Sequence, residues 1–273
     1  MLSEWRILYS GAGGGPYNMA VDEVLLNGVI TGSSLPTLRF YNWKNDCLSF
    51  GFLQRVDEQI RKNCGKLNVE MVRRPTGGYA VLHGRDLCYS IVAPLDGSLA
   101  FLPEDASRRV GAALATGLCH LGVPVALSLH EERQDYTVEE ISCAAAVSQN
   151  ELIVKGKKIA GSASLRRKGC YLQHGSIFME YCGERISELL GNAAGDASLS
   201  SRSEGLRQVW DEKFSLMELI TALRDGFKRQ LNVNMVPAGL GALERAATYE
   251  LMYKKYTTLD YRKQRGRLSQ QHA

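Results

Sequence analysis

Two adjacent arginines precede a glycine pair in the stretch RRPTGGYAVLHG, residues 73–84. Arg73 and Arg74 supply fixed positive charge, and glycines such as Gly77 and Gly78 let backbone N–H groups approach a ligand oxygen closely. The plainer alternative is a tight turn that leads into a strand. The stretch has neither the G-x-G-x-x-G pattern of dinucleotide sites nor the G-x-x-x-x-G-K-S/T pattern of P-loops, so its glycines alone do not indicate a nucleotide.

A second candidate is the stretch KKIAGSASL, residues 157–165. Its small residues include Gly161, Ser162 and Ala163, and they favour either a strand packed closely on a neighbour or a smooth wall for an extended ligand. Lys157 or Lys158 would then stand at the mouth of that slot. A lysine among apolar walls can donate to a carbonyl oxygen or lower the pKa of a nearby thiol.

The two histidines near these stretches, His83 and His174, are interpreted as hydrogen-bonded structural residues. No acidic residue stands at a spacing that indicates a catalytic triad. The seven cysteines are scattered and include no C-x-x-C pair, which argues against both a zinc site and a disulfide framework. We therefore expect no metal, a reducing cytoplasm as the compartment, and mostly buried thiols.

The bulk properties narrow the class of protein only slightly. The chain has 273 residues, is 45% hydrophobic and carries a formal net charge of +4, which suffices for a buried core and does not imply nucleic acid. The first ten residues contain Glu4 and Arg6, so they resemble neither a signal peptide nor an anchor. No apolar run approaches the roughly 20 residues of a membrane span.

Short β-branched and aromatic runs bounded by turn residues predict strands in the first part of the chain. They are WRILYS, PTLRFYNW, CLSFGFL, NVEMV, YAVLHG and DLCYSIVA. Residues 151–178 predict a β-meander with turns at Lys155-Gly156 and Lys168-Gly169.

Apolar residues at helical spacing predict helices from Pro16 to Ile30 and from Pro103 to about Leu121. Two later helices are predicted over 216–231, after a capping box of Ser215 and Glu218, and from Leu240 to about Tyr253. Polar or small stretches at 130–142 and 191–205 are predicted to be mobile loops. With no repeat and no linker, the sequence predicts an α+β fold in one main domain, strand-rich first and helical last.

Five segments together are far more specific than any motif alone. They are GPYNMAVDEVLL (15–26), LRFYNWKNDCLSFGFLQ (38–54), VRRPTGGYAVLH (72–83), ELIVKGKKIAGSASLRRKGCYLQHGSI (151–177) and YKKYTTLDYRK (253–263). In content and order they resemble the lipoate–protein ligase/biotin ligase superfamily, and within it the octanoyltransferase branch of Gram-positive type. The resemblance covers nearly the whole chain. It implies a catalytic core of mixed β-sheets flanked by helices at about residues 32–236 and a helical segment at about 237–273.

The branch is assigned on Cys143. The resemblance places a nucleophilic cysteine eight residues before the glutamate of the E-L-x-V-x-G-x-K-x-A-G-S-A segment and fifteen before its lysine; here Glu151 and Lys158 both point to Cys143. ATP-dependent lipoate ligases share the Arg-Arg and Lys motifs but lack this cysteine. The chain departs from the family at Tyr79, where Gly or Arg is common, and in the segment AAAVSQN after the cysteine.

The resemblance implies that Cys143 accepts an octanoyl group from acyl carrier protein and passes it to a lysine of a lipoyl-domain protein, such as glycine cleavage H protein. It implies no cofactor. Lys158 would lower the pKa of the thiol and polarise the carbonyl. The substrate slot would be lined by Arg73, Arg74, Gly77, Gly78, His83, Gly161, Ser162 and Ala163.

Three alternatives stay open. An ATP-dependent lipoate ligase would use free acid and nucleotide and would not need Cys143. An amidotransferase that moves octanoyl between lipoyl domains would use the same cysteine. A non-catalytic module that binds acyl carrier or lipoyl-domain proteins would need neither Cys143 nor Lys158.

Overall fold

The sequence DLCYSIVA forms a strand, β6 (Asp86–Pro94), that is buried on both faces. Its side chains alternate between two cores: Tyr89 and Ile91 pack in one, and Val92 packs in another on the opposite face. Near-continuous apolar sequence is what a strand covered on both faces requires. In the computed structural model, which describes residues 2–96, 99–100, 102–128, 151–191, 202–211 and 213–259, this strand lies inside the largest sheet.

The described strands are β1 (Ser3–Gly13), β2 (Thr37–Trp43), β3 (Cys47–Phe50), β4 (Glu70–Arg73), β5 (Val81–His83), β6, β7 (Val125–Leu127), β8 (Leu152–Val154), β9 (Lys157–Lys158), β10 (Ala160–Arg167), β11 (Cys170–Phe178) and β12 (Val233–Pro237). They form a six-stranded sheet in the order β10-β11-β6-β2-β1-β12 and two three-stranded sheets, β4-β3-β5 and β7-β8-β9. In the large sheet β12, β1 and β2 run parallel, and the remaining pairs are antiparallel.

The described helices are α1 (Gly15–Thr31), α2 (Glu58–Lys66), α3 (Pro103–His120), α4 (Gly183–Leu190), α5 (Leu206–Val209), α6 (Leu216–Leu231) and α7 (Ala242–Leu251), which continues into a π-helical turn, Met252–Tyr256. Apolar residues of α3 and α6 cover one face of the large sheet, and α1 covers the other. The α+β prediction is confirmed. Among the described residues, no helix is both long and apolar enough to cross a membrane.

Two hairpins confirm the predicted turns, but the prediction that residues 151–178 form one continuous β-meander is wrong. Lys155-Gly156 and Lys168-Gly169 have positive φ at both positions, as tight hairpin turns favour. The predicted continuous strand KKIAGSASL breaks at Ile159, whose N–H donates to Leu152 O and whose carbonyl accepts from the N–H of Phe178. β9 therefore belongs to a small sheet and β10 to the large one, because Ile159 is buried in the core between them.

The C-terminal helical region packs back onto α1. Glu23 of α1 accepts hydrogen bonds from Lys255, Tyr256 and, at 3.1 Å, Arg167. Burial would raise the pKa of Glu23, but the charge of Lys255 and these bonds outweigh burial, so the pKa lies below its ordinary value. The division of the chain at about residues 32 and 236 stays a prediction.

Some predicted elements changed in length. The strands at CLSFGFL and YAVLHG shorten to β3 and β5. Gly51, directly after β3, packs closely against the backbone of Gly78. The capping box at Ser215 and Glu218 is confirmed. The predicted loop 130–142 and residues 192–201 of the other predicted loop lie outside the described residues.

Candidate functional site

A cavity opens where β3, β5, β6, β10 and β11 meet α1; we call it the inner cavity. The non-atom space inside it is about 400 Å³, open solvent at its mouth included. Its lining comprises Met19, Tyr41, Trp43, Ser49, Arg74, Gly78, Val81, His83, Cys88, Gly161, Ser162, Ala163, His174, Gly175 and Ser176. Of the ten predicted site residues it therefore brings six together: Arg74, Gly78, His83, Gly161, Ser162 and Ala163.

Arg74 fixes the loop at the mouth of this cavity. Its Nη2 donates to the carbonyls of Gly77 at 3.1 Å and Tyr79 at 2.8 Å, and its Nη1 donates to Ser49 Oγ at 2.7 Å. Gly78 has φ +87°, a conformation that favours glycine. The guanidinium therefore holds the conformation of the glycine turn through hydrogen bonds to its carbonyls. It also lines the cavity.

Arg73 does not line the inner cavity. It is buried, and it donates to the carbonyls of Leu259 at 2.7 Å, Gly51 at 2.7 Å and Gln54 at 2.7 Å. These bonds tie Leu259 to the loop after β3. A substrate-binding role for Arg73 stays a prediction, and its contacts indicate that it positions the cavity wall.

His83 stands in the cavity wall within a polar network. Its Nε2 is hydrogen-bonded to Ser49 Oγ at 2.7 Å, and its Nδ1 is hydrogen-bonded to Asp86 Oδ2 at 2.6 Å. Its ring stacks on Trp43 with centroids 4.1 Å apart. The order of the three polar groups matches a Ser-His-Asp triad, but here it lies in the buried part of the wall.

Asp86 holds this network as an anion. Burial would raise its pKa, but the charge of His83 and hydrogen bonds from His83, Ser176 and the N–H of Gly84 outweigh burial, so the pKa lies below its ordinary value. Cys88 also faces this carboxylate, at 3.2 Å, and burial and the Asp86 charge raise the pKa of its thiol well above the ordinary value. Cys88 is thus held as a thiol although it lines the cavity.

Donor atoms of His83, Asp86 and Cys88 lie within 4.8 Å of one another and are the one metal-like cluster among the described residues. His83 Nδ1 and Cys88 Sγ are already hydrogen-bonded to the Asp86 carboxylate. A metal would have to separate the His83 and Asp86 atoms, because 2.6 Å is shorter than the spacing of two ligands about 2 Å from one ion.

His174 anchors the opposite part of the wall. Its Nε2 is hydrogen-bonded to Thr76 Oγ1 at 2.7 Å and its Nδ1 to Asp22 Oδ2 at 3.0 Å. Asp22 also pairs with the buried Arg39 at 2.7 Å and accepts from Ser90. Burial lowers the pKa of His174 below its ordinary value despite the opposing effect of Asp22.

The small residues of β10 pack as the sequence predicted, against a second glycine on β11. A Cβ placed on Gly175 would lie 2.8 Å from the carbonyl oxygen of Gly161 and 2.6 Å from the ring of Tyr89. Close packing therefore explains this glycine, while Ser162 and Ala163 reach the cavity surface. The tight-strand interpretation is therefore supported at Gly161, and a wall for an extended ligand stays a prediction.

Lys158 does not stand at the mouth. It is fully buried, and its Nζ donates to Glu151 Oε1 at 2.6 Å. Glu151 lines a small side pocket that shares Gly161 and Ser162 with the inner cavity, so the ion pair lies behind the β10 wall. The catalytic role predicted for Lys158 stays a prediction.

Cys143 lies outside the described residues. Of the six described cysteines, four are buried and their pKa values are raised by burial, that of Cys64 to about 11. The other two, Cys119 and Cys182, are exposed and line neither the inner cavity nor its side pocket. No described cysteine combines access to the cavity with a thiol that ionises readily.

Sequence reasoning missed the acidic partner of each histidine. Asp86 follows His83 by three residues, which is a local signal that could have been used. Asp22 lies among apolar residues at helical spacing, such as Val21 and Leu25, where a buried carboxylate indicates a partner. No sequence pattern indicated Ser49 as a partner of His83, because only the pairing of β3 with β5 brings the two residues together.

Comparison with known proteins finds a family, relatives and solved structures that match most of the chain. The lipoyl protein ligase A/B catalytic domain matches residues 15–228. The octanoyltransferase LipM of Carboxydothermus hydrogenoformans is 32% identical, with 95% of this chain and 98% of that protein covered. The octanoyltransferase LipM of Geobacillus kaustophilus is 34% identical, with 92% and 95% covered. The structure of a proposed lipoate protein ligase from T. acidophilum superposes with a TM-score of 0.75 at 25% identity, covering 94% of this chain and 98% of that one.

The fold is therefore that of the lipoate protein ligases, an α+β catalytic domain with its cavity between sheets. The chain belongs to the lipoyl protein ligase A/B catalytic domain family. The resemblance inferred from the five sequence segments is confirmed.

Proposed function

We propose that the protein is an acyltransferase of lipoate biosynthesis, which transfers an octanoyl group from octanoyl–acyl carrier protein to a lysine of a lipoyl-domain protein. The observation that carries the proposal is the inner cavity. Glycines, small residues and the side chains of Met19, Tyr41 and Trp43 make most of its wall. Such a surface suits an alkyl chain, because burying apolar area is favourable and needs no polar partner.

The relatives support the chemistry. Octanoyltransferases align with this chain over more than nine tenths of its length, and family kinship extends the proposal to the two protein substrates. Glycine cleavage H protein is the proposed acceptor. A net charge of +4 would favour encounter with acidic carrier proteins.

The proposed reaction has two steps. The Cys143 thiolate attacks the octanoyl thioester, the C–S bond to phosphopantetheine breaks, and the carrier thiol leaves as acyl-enzyme forms. The neutral amine of the acceptor lysine then attacks this second thioester. The Cys143 sulfur leaves, the amine loses a proton, and an amide results. A thioester is already activated towards an amine, so neither step consumes ATP.

Lys158 is proposed to favour the thiolate and to polarise the acyl carbonyl. Its ion pair with Glu151 fixes the position of the Lys158 side chain. A cysteine near pKa 8.5 is mostly protonated at neutral pH, so a fixed positive charge would increase the reactive fraction.

One experiment tests the proposal. The protein is incubated with octanoyl–acyl carrier protein without ATP, and its intact mass is taken before and after hydroxylamine. We expect a hydroxylamine-labile octanoyl adduct that Cys143→Ala abolishes. Cys119→Ala is the matched control, because that thiol is exposed on α3 and does not line the inner cavity; it should keep the adduct.

The alternatives give different results. Full activity of Cys143→Ala, or an absolute need for ATP and free acid, would identify a ligase. Adduct formation only from an octanoylated lipoyl domain would identify an amidotransferase. Binding of either protein with no transfer would identify a non-catalytic module.

A further inference from the structure

The inner cavity has a mouth and a closed end. Gly78 and Ser162 are exposed, whereas Met19, Tyr41 and Cys88 are almost fully buried. A ligand that enters between the glycine loop and β10 must therefore extend towards the buried group. His83 and Ser49, both buried, belong to this closed end.

A second cavity lies directly behind that end; we call it the outer cavity. Its non-atom space is about 540 Å³, adjoining solvent included. Besides His83, its lining combines Leu82, Phe178, Tyr181, Cys182 and Ile186 with the charged residues Asp46, Arg85, Asp86, Glu180 and Arg185. Among the residues that the structure describes, His83 is the one that lines both cavities. His83 therefore contributes to the wall of both spaces.

The hydrogen bonds of His83 cross the same partition. The partner of its Nε2, Ser49, lines the inner cavity alone, and the partner of its Nδ1, Asp86, lines the outer cavity alone. Each ring nitrogen is therefore bonded to a residue that lines a different cavity.

Further contacts hold the ring in place. Arg74 donates to Ser49 Oγ at 2.7 Å, and the N–H of Gly84 donates to Asp86 Oδ1 at 3.0 Å. Trp43 stacks on the ring with an interplanar angle of 15°. Rotating the ring aside would break two buried hydrogen bonds, one of them to an anion, which an advancing alkyl chain cannot replace.

We propose that His83 sets the upper limit on acyl chain length, because its ring closes the inner cavity against the outer one. The inference rests on the proposed function, in which the inner cavity holds the acyl chain. Removing the imidazole would join the two cavities, and chains longer than octanoyl could then extend past Asp86 towards Phe178 and Ile186. A chain that is too long for the native cavity must leave methylenes in water or displace the ring.

The test compares binding of octanoic, decanoic and dodecanoic acid by titration calorimetry in full-length wild type and His83→Ala. We expect wild type to favour octanoic over dodecanoic acid. His83→Ala should shift the ratio of the two dissociation constants towards dodecanoic acid by about tenfold or more, since a few methylenes gain a buried site.

Two variants separate an opened passage from general loosening. Ile186→Ala enlarges the outer cavity with the partition intact and should keep the wild-type ratio. His83→Ala combined with Ile186→Trp fills the space behind the opening and should reverse the gain. If His83→Ala fails to fold, His83→Asn retains an amide between Ser49 and Asp86 with less bulk and should show the same direction.

Unchanged ratios in the folded His83 variants, or equal wild-type affinity for the three acids, would overturn the inference. Transfer from octanoyl–, decanoyl– and dodecanoyl–acyl carrier protein is then measured on the same proteins. Expected binding ratios without any transfer would contradict the proposed function and leave the partition standing. Transfer by these proteins with unchanged binding ratios in the His83 variants would contradict the role of His83 and leave the proposed function standing.

Discussion

Lys158 and Glu151 form a buried ion pair, with Lys158 Nζ 2.6 Å from Glu151 Oε1. The motif that contains both residues folds as a hairpin, since β8 follows Glu151 and β9 ends at Lys158. The carbonyl of Lys158 also accepts from the N–H of Glu204, which ties the residue to the segment before α5. The lysine is therefore fixed in position from both its side chain and its backbone.

Removing one member of this pair should cost more stability than removing both. Glu151→Ala leaves a buried ammonium without its anion, so we expect the free energy of unfolding to fall by about 3–5 kcal/mol. Glu151→Ala combined with Lys158→Met should lose less, because neither charge is then buried. Urea unfolding of the three proteins measures this. A double variant less stable than the single one would mean that the pair is not electrostatically coupled.

The cysteines should differ sharply in reactivity. In brief alkylation of the native protein followed by peptide mapping, we expect the exposed Cys119 and Cys182 to be labelled and the buried Cys47, Cys64 and Cys88 to be protected. Burial keeps these three as thiols, which react slowly. Cys143, in its proposed role, should be labelled first, and prior incubation with octanoyl–acyl carrier protein should protect it alone. Equal labelling of all seven in folded protein would contradict the burial.

Sequence patterns predicted the strands, the main helices and the two hairpin turns, because those depend on local periodicity and on residues such as Gly156 and Gly169. The close packing at Gly161 was also predictable, because the side chains of this stretch are small. The break at Ile159 was not, since it depends on which sheet each half joins. The site also depends on contacts between residues far apart in sequence. Ser49 and His83 meet only because β3 pairs with β5. The different positions of Arg73 and Arg74 depend on the hydrogen bond from Arg73 to Leu259, which no local pattern predicts.

Gly51 should tolerate no side chain. A Cβ there would lie 1.8 Å from the carbonyl oxygen of Gly78, a backbone atom of the mouth loop. We expect Gly51→Ala to lower the free energy of unfolding by about 1–3 kcal/mol, the usual cost of overpacking. Gly77→Ala is the matched comparison, because a Cβ at that position meets no atom within 4 Å; its stability should stay near wild type. Equal thermal midpoints for the two variants would show that the loop moves freely.

His174 should make stability depend on pH between neutrality and mild acid. An unfolded histidine takes up a proton near pH 6.5, whereas burial keeps the folded His174 neutral to lower pH, despite Asp22 beside it and with the charges of Arg74 and His83 opposing protonation. Below about pH 6.5 the unfolded chain therefore binds more protons than the folded protein. The free energy of unfolding then falls as pH falls, by up to about 1.4 kcal/mol per pH unit.

The comparison that isolates this group uses His174→Gln, whose amide does not titrate but can still bond to Thr76. Urea unfolding at about pH 7.5 and about pH 5.5 should show a larger loss for wild type than for His174→Gln. His120→Gln, at an exposed position at the end of α3, should behave as wild type. The pKa of Asp22 is also lowered, by Arg39 and His174 against the effect of burial. Its contribution is lost only below the ordinary carboxylate range, so it does not interfere at these two pH values. Parallel losses in wild type and His174→Gln would show that His174 is not the group that resists protonation.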